Sequence, residues 1–385
     1  MKSRIESKGG QPMEGKMPPR AVNRLISAML FAAACLLGSW SVLPAAESKV
    51  LGYYPAGVRK DLPAEKLDFS VLTHICHAFV TPNADGSLHV GENFLYPELN
   101  RAAHAAGRKV LVSLGGGGGG RSVEGFPPVA ASPALRAMFI RNLLDFCEKN
   151  EYDGVDFDWE YPKNAKERSD HATMVEELRA AAVKRGKPFL ITMANTGRLD
   201  SDSVFDHRRL NKSLDWFNVM TYDYHGLWSR EAGHNSPLYS VVPTYNGQGE
   251  SCYTDVFRLT RELGIPPEKI LLGLPFYGFE LKASQIGAPC HGGRYIGYND
   301  AVRMWAEGGW DYCWDTVALV PYMLQRSREH VITFDNPESI TIKCDFARVQ
   351  GLGGVMIWAL GYDVVEGRQL LLETVSKQRW DTDNK

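Results

Sequence analysis

Short apolar runs rich in β-branched residues recur along the chain, each followed by a longer stretch with helical spacing. The runs are Val50–Tyr54, Leu72–Val80, Lys109–Leu114, Asp153–Pro162, Pro188–Met193, Trp216–Tyr222, Lys269–Phe276 and Gly354–Trp358. Strands alternating with helices predict parallel βα units. Eight of them predict an α/β fold of the (β/α)8 TIM-barrel type rather than an open sheet. The intervening helices carry ordinary punctuation. Ser132-Pro133 is an N-cap and first-turn pair, and Leu135, Met138, Phe139, Leu143 and Phe146 follow as an apolar stripe. Gly264 and Pro266-Pro267 stop a helix over Thr254–Leu263, and Asn336-Pro337-Glu338 opens another through Val349.

The connection between the seventh and eighth runs is too long for one helix. Gly278–Phe334 is rich in glycine and aromatics and predicts a small insertion on the top face of the barrel. The expected organisation is therefore a leader over 1–46, a barrel over 47–277 and 335–376, the insertion over 278–334, and a polar tail over 377–385. The glycine tract Gly115–Gly120 follows the third strand and so lies at the same rim. No Lys-Ser/Thr follows it as in a phosphate-binding loop, so a mobile or close-approach loop is expected.

Composition changes this picture little. The 385 residues are 44% hydrophobic, with a formal net charge of −2, enough for a large core and with no basic block to bind nucleic acid. The leader changes it more. Basic residues run up to Arg24, Leu25–Leu43 is almost wholly apolar, and Pro44-Ala-Ala-Glu47 follows. That order predicts a secretory signal peptide and a secreted or periplasmic protein. The alternative is a membrane anchor, because the apolar run is long enough to span a bilayer. Cys35 follows three alanines but sits in a poor context for lipid attachment. Of the remaining cysteines, Cys76 and Cys147 lie in apolar segments and read as buried hydrophobes, whereas Cys290–Cys313 is the expected disulfide. No stable protein partner is implied, a monomer is expected, and no cofactor is called for.

The fourth run poses the chemical question. Asp153, Asp156, Asp158 and Glu160 fall within eight positions. On a strand, alternate residues share a face, so Asp156, Asp158 and Glu160 form one row and Val155, Phe157 and Trp159 the other. The apolar face suits the helix layer, and the acidic row lines the barrel interior, rising to the C-terminal rim where barrel enzymes place their sites. Asp153, before Gly154, reads as a backbone-bonding structural residue. Like charges so close repel, so at least one carboxyl is expected to hold a proton near neutrality. Calcium or magnesium would be the competing explanation, but no ring of histidines or zinc-ligand spacing supports a metal site. Glu160, at the tip, is the expected proton donor to a leaving group, as in glycosidic bond cleavage.

The stretch Asp153–Pro162 resembles the signature of family 18 glycoside hydrolases, the chitinase family. Other segments agree in order: Ser113-Leu-Gly-Gly116 with the family's third-strand motif, Met220-Thr-Tyr-Asp-Tyr-His-Gly-Leu-Trp228 with its sixth-strand motif, Gly233-His-Asn-Ser-Pro-Leu238 with the loop that follows, Gly273-Leu-Pro-Phe-Tyr-Gly278 with the seventh strand, and Trp358 with a floor tryptophan. The resemblance implies retaining hydrolysis of β-1,4 bonds between N-acetylglucosamine units, in which the substrate's own N-acetyl group attacks the anomeric carbon. Glu160 would be general acid, then base. Asp158 would orient the acetamido nitrogen, with Asp156 as its resting partner. Tyr222 and Asp223 would contact the acetamido group, and Tyr53 and Ser113 would tune the acids from below. Trp358 would be the apolar floor. Met220, Tyr277 and Trp228 complete the expected substrate-binding set, and Trp305 is a further aromatic that could stack on sugar.

The sequence departs from the family pattern in two places. Glycine runs on to Gly120 where an aromatic often stands, and Phe279 follows Gly278 where arginine often does. With a short insertion, these changes predict a shallow cleft suited to soluble or short polymers. N-glycan core or peptidoglycan bonds are the alternative substrates. A non-catalytic sugar-binding protein is the alternative outside catalysis, and the presence of Glu160 argues against it.

Overall fold

The computed structural model describes residues 48–117, 124–197, 204–240 and 250–378. The leader with Cys35, the end of the glycine tract and the end of the tail lie outside them. Among the described residues no helix is long and apolar enough to cross a membrane.

Eight parallel strands close into a barrel. They are Lys49–Pro55, His74–Pro82, Lys109–Gly115, Gly154–Asp158, Leu190–Asn195, Trp216–Val219, Ile270–Pro275 and Gly354–Trp358. Each pairs with the next in sequence, and the first closes on the eighth with Lys49 opposite Gly354 and Gly52 opposite Ile357. The alternation read from the sequence separates two cores. Leu51, Tyr53, Cys76, Leu111, Leu271 and Met356 cluster together. Their strand neighbours Val50, Tyr54, Ile75, Val110, Val112, Leu272 and Ile357 join the second cluster, packed with the helix residues Phe139, Leu143, Met174 and Leu178. Burying each such Leu, Met or Phe contributes about 1.5–3 kcal/mol.

The helices begin where their caps direct. The Ser132 hydroxyl accepts from Leu135 N at the start of Pro133–Lys149. Asn164 does the same for Ala165–Arg185, which ends on Gly186 at φ +70°. Asn336 opens Pro337–Val349 with a reciprocal bond from its own N–H to Ser339. The helix expected over Thr254–Leu263 starts at Cys252 and loosens into a π turn over Arg258–Glu262.

The seventh strand runs directly into a second sheet. Tyr277–Leu281, Gly293–Gly297, Trp310–Asp315, Val320–Gln325 and Val331–Thr333 form five antiparallel strands, with the helix Tyr298–Glu307 between the second and third. This segment has a sheet and a helix of its own. The expected Cys290–Cys313 disulfide is not formed, and all six cysteines among the described residues are free. The sheet order explains why. Cys290 lies just before the edge strand Gly293–Gly297 and Cys313 lies in the opposite edge strand. Four inter-strand steps of about 4.8 Å separate those edges, far beyond disulfide reach.

Candidate active site

The fourth strand supplies the acids at three depths. Asp156 is fully buried and Asp158 nearly so, whereas Glu160, past the strand end, reaches the open cleft. Phe157 and Trp159 point outward into the helix layer, where Trp159 stacks on Phe126 at 5.1 Å. The third strand must pass very close to make this possible. Gly115 has φ +114°, and a Cβ there would sit 2.2 Å from the Asp158 carbonyl oxygen. Only glycine fits that approach. A Cβ on Gly117 would lie 3.0 Å from Glu160 Oε1, so the start of the glycine tract is a close-approach segment beside the acid.

Asp156 is held by four neutral donors. Tyr53 and Ser113 hydroxyls donate to its Oδ2, both at 2.8 Å. Thr192 Oγ1 and Asn218 Nδ2 donate to its Oδ1 at 2.6 and 2.9 Å. Burial raises the Asp156 pKa, and these four bonds work against that rise. Burial likewise pushes the Tyr53 phenol well up, with the charge of Asp156 next in effect, so it stays a donor. Asp158 differs. Burial pushes its carboxyl well above the ordinary range, the charges of Glu160 and Asp156 add to the rise, and it is hydrogen-bonded to Glu160. The pair is thus joined by a hydrogen bond, and the neutral form of Asp158 is favoured. That hydrogen bond runs to Glu160, the partner above it, and Asp156 acts on Asp158 from below through its charge. Its Oδ1 is buried with no partner among the described residues.

The sixth strand and its loop face this pair. Tyr222 is buried, and burial, then the charges of Asp223, Asp158 and Glu160, push its phenol well up. Asp223 has φ +59°, accepts the Tyr277 hydroxyl, and has its own N–H bound by Asn235 Oδ1 at 2.9 Å. Trp358, from the eighth strand, packs on Tyr53 at 5.5 Å and Phe79 at 5.6 Å. Trp228, Phe279, Tyr277 and Tyr295 form an aromatic wall, with Tyr277 stacked on Tyr295 at 4.6 Å. Together these residues line a cleft of about 600 Å³.

The structure thus gathers Glu160, Asp158, Tyr222, Asp223, Trp358, Tyr53, Met220, Tyr277 and Trp228 around one cleft, with Asp156 and Ser113 beneath. Trp305 is elsewhere: it sits half-exposed on the insertion helix against Tyr312. Asp153 is a backbone clamp, accepting Val110 N at 2.9 Å and Lys109 Nζ at 2.8 Å. Phe79, Thr196, Tyr161, Leu227, Phe279 and Tyr295 also line the cleft without having been foreseen there. Among the described residues no His, Cys, Asp and Glu cluster could hold a metal ion.

Residues 49–363 match the family model for glycosyl hydrolases family 18. The chain belongs to that family. It is 30% identical over 341 residues to class V chitinase CHIT5a of Medicago truncatula, covering 81% of this chain and 85% of that one. Among solved structures it resembles Ostrinia furnacalis Group IV chitinase in complex with allosamidin, at a TM-score of 0.78 and 26% identity over 86% of this chain and 98% of that one. It also resembles a family 18 chitinase from Cycas revoluta in complex with (GlcNAc)3, at 0.74 and 25% over 86% and 99%. This family 18 protein is a glycoside hydrolase, and its acid row sits at the C-terminal rim of its barrel.

Proposed function

We propose that this hydrolase cleaves β-1,4 bonds between N-acetylglucosamine units in chitin and chito-oligosaccharides, with retention and with the substrate's N-acetyl group as nucleophile. The observation that carries the reading is the Asp158–Glu160 pair: one shared hydrogen bond facing the cleft, beside a buried, unpartnered Asp158 Oδ1. The names of the related chitinases support the substrate class. In the reaction Glu160 protonates the glycosidic oxygen as the acetamido oxygen attacks the anomeric carbon and the C–O bond breaks. Asp158, then ionised, accepts the acetamido N–H and balances the cationic ring that forms. An anion disfavoured by burial in the free enzyme gains its counter-charge in the transition state, which is where stabilisation accelerates a step. Glu160 next takes a proton from water, which opens the ring and restores the configuration. Trp358 supplies an apolar face for the sugar. We infer export from the basic and apolar leader alone.

Product analysis tests this reading. Chito-oligosaccharides of several lengths are expected to be cut, with the β-anomer as initial product by NMR. The same oligomers with free amines in place of the acetamido groups are expected to resist cleavage. Cleavage of the amines at the normal rate, or preferential attack on a glycoprotein or peptidoglycan, would overturn it.

A pH prediction arises from the same pair. The active form carries one proton on Asp158–Glu160. Because Asp158 is raised, that proton is present below its folded pKa and lost as pH rises through it. The Asp156 charge contributes to the rise. Asp156→Asn is therefore expected to move the alkaline limb of kcat/KM to lower pH, with reduced kcat, and a pH–rate profile checks the direction.

A further inference from the structure

The backbone at Thr221–Asp223 is anchored from outside the cleft by Asn235 and Ser236 of the following loop, and His234 beside them ties that loop to the insertion sheet. His234 Nε2 meets Asp315 Oδ2 at 3.0 Å on the insertion sheet. Asn235 Oδ1 accepts Asp223 N–H, while its N–H and Nδ2 bind Thr333 Oγ1 and the Tyr277 carbonyl at 2.8 and 3.2 Å. Ser236 Oγ donates to the Thr221 carbonyl at 2.6 Å and accepts from Lys343 Nζ, also at 2.6 Å. Lys343 and its partner Asp335, at 2.7 Å, are both wholly buried, and Ser339 Oγ donates to the same Asp335 oxygen. An ammonium is thus held in the core between a carboxylate and one serine hydroxyl, and that hydroxyl ends on the residue preceding Tyr222.

We propose that Lys343 and Ser236 are positioning residues for the acetamido-binding end of the cleft. This inference rests on the reading in which Tyr222 and Asp223 hold the acetamido group. Asp223 adopts a left-handed conformation uncommon for a residue with a Cβ, and such a conformation persists only where its surroundings over-determine it. The Asn235 contact fixes its N–H side. The Lys343–Ser236 chain fixes the peptide two residues upstream, so Tyr222 and Asp223 are pinned from both directions. The buried ion pair makes this anchor rigid: its members lack water as an alternative partner, and Ser236 cannot leave without leaving a Lys343 proton unbonded. The chain also links the helix before the eighth strand to the rim of the sixth.

Lys343→Met would leave Asp335 buried and uncompensated and is expected to fail to fold. Ser236→Ala keeps the Lys343–Asp335 pair and is the variant to measure, with near-UV circular dichroism to verify folding. On acetylated chito-oligosaccharides kcat is expected to fall about 10- to 100-fold, as slight misplacement of reacting groups does, with KM changed by less than about threefold. Affinity for a thiazoline analogue of the cyclic intermediate is expected to fall by the same factor as kcat. An unchanged kcat, or a lower kcat with unaltered analogue affinity, overturns the assignment of Ser236. In either case an inactive Glu160→Gln enzyme leaves the functional reading standing, whereas an active one removes that reading itself.

Discussion

Glu160→Gln is expected to lower kcat on chito-oligosaccharides by about 10²- to 10⁴-fold, toward the upper end of what one general acid–base group supplies. In the proposed mechanism the same carboxyl acts twice, first giving a proton to the leaving oxygen and then taking one from water, so both halves of the reaction would lose their catalyst. Glutamine keeps the volume and can still hydrogen-bond Asp158, which preserves the geometry beside Gly117. Substrate affinity is therefore expected to survive, because the floor and walls of the cleft are aromatic and untouched. Turnover assays paired with calorimetric titration of a chito-oligosaccharide separate the two quantities. Unchanged turnover would remove Glu160 from its role.

The second large effect is expected at Asp158. Asp158→Asn retains shape but withdraws the charge that, in the proposed mechanism, balances the cationic intermediate. Loss of one preorganised electrostatic contact to a developing charge costs about 10²- to 10³-fold in kcat. Asparagine also places an N–H₂ group where either Glu160 or the acetamido N–H needs an acceptor. The loss should fall on kcat more than on KM, since the charge exists only after attack begins. Steady-state kinetics with a single oligosaccharide length tests the split, and a defect confined to KM would contradict the proposed role.

How far these residues were legible depended on whether neighbours in space were also neighbours in sequence. The acid row was legible because period two on a strand fixes which side chains share a face. Strand existence is also readable, but ends are not: the sixth run extends to Tyr222, yet its strand stops at Val219, where the chain turns to present Tyr222 and Asp223. The cradle under Asp156 was half seen. Thr192 and Asn218 are polar residues set among apolar neighbours in their strands, and Thr192 lies opposite Asp156 in register. That isolation was a usable signal. Phe79 and Tyr295 carried none, because their places depend on how the second strand ends and on the insertion folding back over the rim. The insertion's internal order carried no clear signal either, since Trp310–Asp315 alternates aromatics with acids and cysteine rather than with the small polar residues of an ordinary surface strand. Cys290 and Cys313 looked pairable only while the sheet between them was unseen.

The seam between the first and eighth strands has a consequence for how the enzyme comes into being. Tyr53 and Trp358, which touch across that seam, are separated by most of the polypeptide. Contacts between such distant residues are slow to form and reward the chain only at the end. An amino-terminal fragment stopping before Gly354 would contain every carboxylate of the acid row yet lack Trp358, the proposed floor of the cleft. It would also expose unpaired edges on the first and seventh strands, which invite aggregation. Catalytic competence is therefore expected to arrive late, with closure of this seam, and a fragment stopping before Gly354 is expected to show no activity despite the residues already in place.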